Sequence, residues 1–330
     1  MQEADFNKNY KDVETRKVQK LGSSSLFITL PKKWVSKWGI KPGDKIIIEM
    51  TNDGALRLTA EKSKFNIGRK AIKIDLDVLK EPLTYAIPCI YSLGYDEITI
   101  TGKKIDLDSV SKDINELSKF LIGLELSEAG ENYIKLDCLL DSERLSAESL
   151  LRRLLNIISK KVEDISAYIS SQQQIDIVAK DEIKKVIYMS LRRVLESNVD
   201  SLKESVKNSV IAINLTHITH IDYILTKLTN YIKQEKEQKK EIKDVSTIKD
   251  ILHNVSDLLD EIVMSLLLPS VKRISNGIKL LSQINDNINK LSDPQLRDIL
   301  TDLSWSLNEA LFISSCTLYF EGSSAVEKEE

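Results

Sequence analysis

From about residue 141 to residue 322, apolar side chains recur at helical spacing, so more than half of this chain is expected to fold as packed helices. Six segments follow from the pattern: 147–171, 174–198, 203–238, 246–268, 270–291 and 294–320. In the first, Leu150, Leu151, Leu154, Leu155, Ile158, Val162, Ile165 and Ile169 form one stripe. Such a stripe buries against neighbouring helices. The scarcity of aromatics, 6% of residues, and the abundance of Leu and Ile agree with helix packing. The charge run KQEKEQKKEIKD at 233–244 reads as a solvated helix end and linker. Residues 323–330 read as a frayed tail.

The first part of the chain has a different period. After a polar stretch at 1–13, expected to be flexible, residues 14–62 carry short strands and turn signals. TRKVQKL alternates charged and apolar residues as a half-buried strand does. A turn follows at Gly22 with Ser23, Ser24 and Ser25, then LFITL as a second strand. Pro31 suits a helix start, and PKKWVSKW is a short helix stopping at Gly39. KIIIEM, the TNDG turn and ALRLTA make a closing hairpin. Residues 66–140 then read β-α-β-α-β-β, a small α/β sandwich of ferredoxin-like order with its helices on one face. The expected fold class is therefore multidomain α+β, divided at 14–62, 66–140 and 141–322.

The overall charge of −3 hides an asymmetry. Residues 15–45 hold Arg16, Lys17, Lys20, Lys32, Lys33, Lys37, Lys41 and Lys45 against Asp44 alone, eight cations to one acid. A basic window in an otherwise acidic chain points to a dedicated anionic partner for that part. The three cysteines, Cys89, Cys138 and Cys316, lie far apart in apolar segments and are expected to be buried free thiols. No apolar run approaches the ~20 residues of a membrane span, and the polar start lacks a signal-peptide core. A cytoplasmic protein without membrane insertion is the expectation. The sequence holds no phosphate-cradling glycine loop, no G-x-S-x-G, no H-E-x-x-H and no Cys/His pairing, so an enzyme is not expected.

A four-strand, one-helix piece of about 50 residues buries little core alone and leaves strand edges open. Pairing with a second copy would answer both. The residues Arg16-Lys17-Val18, Leu21-Gly22, Ile28 to Trp34, Gly39 to Asp44 and Ile46 to Met50 resemble the SpoVT/AbrB family in order and spacing. The resemblance implies a dimeric swapped-hairpin β-barrel whose basic first strand and turn lie against double-stranded DNA. Carried over by position, Arg16, Lys17 and Lys20 would contact DNA. Ser23, Ser24 and Ser25 would approach phosphates, with Lys32 and Lys33 adding charge at the helix start. Trp34, Trp38, Ile46 and Ile48 would form the dimer core. Family members place arginine where this chain has its serine turn.

The stretches LLDSERLSAESLLRRLLNIISKKVEDI, EIKKVIYMSLRRVL and LTHITHIDYILTKLTNYI are similar to archaeal PhoU-like phosphate-uptake regulators that carry the same N-terminal domain. This implies a pair of three-helix bundles and a role in phosphate homeostasis, with a phosphate ABC transporter or its signalling machinery as partner. The alternative reading is an adaptor of that type that does not bind DNA. Many PhoU proteins hold iron or zinc through Glu-x-x-x-Asp motifs. Here Glu182 is followed by Lys184 where an aspartate is expected. Ile218 and Trp305 stand at the partner positions of Asp222 and Glu309. The expectation is a degraded metal motif and no cofactor, leaving His217, His220 and Asp222 as the remaining metal candidates. Residue 222 lies ~200° around the helix from 220, off the face of the two histidines.

Overall fold

The computed structural model describes residues 14–22, 25–50, 54, 56–61, 69–79, 82–103, 105–140, 145–170, 180–196 and 202–321. The segments 1–13 and 323–330, and Ser23 and Ser24, lie outside them. The chain divides into two compact units, residues 1–68 and 69–330.

In the first unit, β1 (Gln19–Leu21) pairs antiparallel with β2 (Ser25–Phe27), and β3 (Ile46–Met50) with β4 (Leu56–Ala60). Between them lies α1 (Lys32–Lys37), started by Pro31 as N-cap and stopped after Trp38. The two hairpins remain separate two-stranded sheets, so among the described residues a single chain closes no barrel. The physical reason is in the burial. Ala60 is the one buried apolar side chain described in this unit, while Leu26, Ile48, Met50 and Leu56 are all at least 60% exposed. Two hairpins have too little surface to cover one another. The first strand is also shorter than its alternation predicts, because Arg16 and Lys17 precede the paired residues.

The second unit opens with β5 (Ala71–Asp75), α2 (Leu83–Ser92), β6 (Glu97–Thr101), α3 (Leu107–Ser118), β7 (Leu124–Gly130) and β8 (Tyr133–Cys138). The sheet order is β5-β6-β8-β7, with β5 parallel to β6 and the other pairs antiparallel. The element order β-α-β-α-β-β is as expected, while the sheet order is not the ferredoxin-like one. A helical crossover from β5 makes its partner β6 parallel, and the tight turn between β7 and β8 makes them a hairpin at the sheet edge. A register shift between Leu126 and Glu128 interrupts that edge strand. Ile98, Ile100, Ile134 and Leu136 are buried on the face covered by Ile87, Val110, Ile114 and Leu117 of the two helices. Pro88 is accommodated inside α2 and buried, while Cys89 beside it is exposed, contrary to the expected burial.

The helices follow as α4 (Ala147–Ser170), α5 (Lys180–Glu196), α6 (Leu202–Glu237), α7 (Val245–Leu267), α8 (Val271–Ile288), α9 (Pro294–Ser315) and the short α10 (Thr317–Glu321). The last expected segment is thus divided at Cys316. Start signals explain two of the boundaries. Ser270 caps α8 by accepting the Arg273 N–H at 3.3 Å, and Asp293 caps α9 by accepting the Leu296 N–H at 2.9 Å, with Pro294 next. The Tyr231 hydroxyl also donates to Asp293 at 2.5 Å and holds that carboxyl below its ordinary range.

Helices α4–α6 pack on one another, as do α7–α9; α4 also meets α7, and α6 meets α9. One continuous cluster of buried side chains runs through all six, from Leu150 to Leu311. The two triplets therefore share a core. Gly277 of α8 marks a close approach inside the second triplet: a Cβ there would stand 2.7 Å from Leu311 Cδ1 of α9 and 3.4 Å from Leu258 Cδ1 of α7. Among the described residues no helix is long and apolar enough to cross a membrane.

Candidate nucleic-acid interface

All eight cations between residues 15 and 45 are exposed. Solvated cations at this density mark a surface suited to an anionic partner. Lys32 and Lys33 occupy the first turn of α1, which holds no acidic residue. Cations at the positive end of a helix cost stability. Arg16 forms an ion pair with Glu14, exposed on both sides and correspondingly weak. Asp44 accepts the Lys41 backbone N–H at 2.7 Å and shapes the turn before β3.

The structure separates some of the expected contact residues. Lys20 stands opposite Leu26 across the first hairpin, and Leu21 opposite Ser25. Successive strand residues face opposite ways, so Lys20 and Ser25 lie on opposite faces. Arg16 and Lys17 continue the chain N-terminal to Lys20, and Lys17 is exposed beside the 60%-exposed Val18. Trp34 and Trp38 are half-buried and, with Leu56 and Leu58 of their own chain, line a groove of about 540 Å³ that Lys33 and Lys37 border. The Lys37 ammonium lies 5.5 Å from the Trp38 ring centre. Ile46 is half-buried, and Ile48 is 61% exposed.

The metal candidates are drawn apart. Asp222 is buried, and its carboxylate takes the ammonium of buried Lys161 from α4. That ammonium also donates to the Asp222 carbonyl at 3.2 Å and to Thr226 Oγ1 at 2.8 Å. His220 is exposed, with Nδ1 2.6 Å from Ser306 Oγ and its ring between Tyr223 and Trp305. Glu182 pairs with Lys185 and Arg153, which hold it below the ordinary carboxylate range. Among the described residues no group of three His, Cys, Asp or Glu side chains stands where it could hold a metal.

One residue central to the second unit was not foreseen. Arg192 of α5 is fully buried and reaches the C-terminal end of α2. It donates to the carbonyls of Tyr91 at 3.0 Å and Tyr95 at 2.9 Å and to Asp96 Oδ1 at 2.8 Å. It also lies 5.3 Å from the Tyr91 ring centre. Gly94, at φ +81°, makes room for this approach, since a Cβ there would stand 2.7 Å from Glu196 Cγ. With Phe120 stacked on Tyr188 at 5.4 Å, Arg192 joins the small sheet layer to the helices.

Residues 19–66 match the family described as antidote-toxin recognition MazE, bacterial antitoxin. No curated protein and no solved structure matches the chain. The match spans both hairpins and α1, so the N-terminal unit is similar to MazE/AbrB-like domains, a type that fits a DNA-binding regulator.

Proposed function

We propose that this chain is a DNA-binding transcriptional regulator, dimeric through its N-terminal unit, whose second unit senses a ligand or partner in phosphate homeostasis. The observation that carries the first half is the set of eight exposed cations on a hairpin unit whose apolar side chains also stand exposed. A second copy covers the apolar faces, and phosphate neutralises the cations. The matched family's description concerns antidote–toxin recognition; the density of exposed positive charge favours nucleic acid here. The phosphate link rests on the resemblance of the six-helix part to PhoU proteins, with a phosphate transporter or its signalling machinery as partner. Effector binding at the helical unit would bias the placement of paired DNA-binding units.

The dimer has its own expected result. Ile48→Glu places a charge on an apolar face that the second copy covers, at a site already exposed in one chain. The dimer dissociation constant then rises about 100-fold or more, while helix content stays unchanged. An unaltered constant in sedimentation would show that β3 lies outside the interface.

The DNA reading is tested by titrating the duplex upstream of the protein's own gene, and a random duplex, with wild type and a variant carrying Arg16→Ala, Lys17→Ala and Lys20→Ala. The wild type binds the upstream duplex more tightly. The variant loses most of that affinity, and its salt slope falls by roughly 3–6, for three cations in each of two copies. Equal and feeble binding by both proteins to both duplexes would contradict the reading and favour the adaptor alternative.

A further inference from the structure

Helices α6 and α9 run antiparallel and are tied by a series of polar contacts. Asn214 meets Ser314, His220 meets Ser306, and Tyr231 meets Asp293. Their outer surface carries four large exposed apolar side chains, with Thr216, Thr219 and Asn308 exposed between them. Tyr223, Trp305 and Phe312 are 57, 59 and 61% exposed, and Ile213 is 44% exposed. The spacings 213, 220, 223 on α6 and 305, 312 on α9 put these residues on one stripe of each helix. His220 bridges the two stripes, its ring 6.2 Å from Tyr223 and 6.5 Å from Trp305. Ordinary surface helices scatter such side chains singly, and contiguous patches mark interaction sites.

We propose that this face is a second self-association surface, occupied by the same face of a second copy. The proposal rests on dimerisation through the N-terminal unit, which brings two helical units together on paired chains. Charge supports the choice of occupant. Lys227 and Asp302 stand 3.5 Å apart at the Tyr223–Trp305 end of the stripe, both substantially exposed. They pair within the chain, so this end of the face carries no net charge, and an isologous contact there would let the two pairs exchange partners. A patch of one sign would repel its own copy. Size supports it as well. Three aromatics at this exposure, with Ile213 and His220, offer on the order of 400 Å², about half of the ~800 Å² per partner of a stable interface. Such a face associates weakly when the chains are free. It becomes effective when a first interface raises the local concentration to the millimolar range.

The test uses the full chain. Phe312→Glu and Trp305→Glu alter exposed positions, so thermal unfolding should match wild type while the dimer dissociation constant rises about 10-fold or more. Ile48→Glu, measured alongside, reports on the N-terminal interface alone. A constant unmoved by Phe312→Glu and Trp305→Glu, with Ile48→Glu still dissociating the dimer, would overturn the proposal and leave N-terminal dimerisation standing. That is also the outcome if a different protein occupies the face. A wild-type chain that is monomeric throughout would overturn both.

Discussion

Lys161→Ala is expected to lower stability by roughly 3–5 kcal/mol, because it leaves the Asp222 carboxylate buried without its cation. Both side chains are less than a tenth exposed, at 4% and 8%. The ammonium has three acceptors in the Asp222 carboxylate, the Asp222 carbonyl and the Thr226 hydroxyl, so its own desolvation is compensated. Removing it compensates nothing. The thermal midpoint should fall by about 10 °C, with the denaturant m-value retained. Replacing both partners, as Lys161→Met with Asp222→Leu, should recover stability to within about 1 kcal/mol of wild type or exceed it. The Thr226 hydroxyl keeps its bond to the Asp222 carbonyl at 2.9 Å in that variant. A single variant as stable as wild type would show that water reaches this pair.

Arg192→Ala is expected to cost a similar amount, roughly 3–5 kcal/mol, and to change the form of unfolding. The guanidinium fork serves three acceptors at once at the end of α2, where a cation is favoured. Alanine leaves the Tyr95 carbonyl and the Asp96 carboxylate without this donor. Lysine cannot replace the fork, because its single ammonium lacks the planar geometry; Arg192→Lys should therefore recover only part of the loss. Since Arg192 joins the sheet layer to the helices, hydrogen exchange in α2 and β6 should accelerate more than in α7 and α8. Uniform acceleration across the unit would contradict a local clamp.

The helices were legible because their periods are long. Leu150, Leu154, Ile158 and Ile165 repeat over more than four turns, and α4 begins and ends within one residue of expectation. The short N-terminal strands were legible in kind and less so in extent. Alternation of TRKVQKL continues beyond the three residues that find a partner strand, and local pattern does not report how many ladder bonds one chain can make. The sheet order of the middle layer depends on which strands meet across helical crossovers, which element order alone leaves open.

Lys161 and Arg192 were the missed signals. Lys161 lies three residues after Ile158 and four before Ile165, on the buried stripe itself, and Arg192 lies three after buried Met189. A charge on an apolar stripe marks a paired buried group or a site, and it was visible in the sequence. Its partner was not, because Asp222 and Asp96 are distant along the chain. Proximity in sequence groups Asp222 with His217 and His220; the fold turns Asp222 inward to a lysine and leaves His220 outside with the aromatics.

On the proposed function, the N-terminal unit binds duplex DNA through its exposed cations. The most direct measurement is the equilibrium affinity of the full chain for duplex DNA across a series of salt concentrations. Counterion release predicts a straight line of log affinity against log salt with a steep negative slope, of about −0.9 for each phosphate neutralised. Binding that is absent at low salt, or a flat line, would contradict the claim.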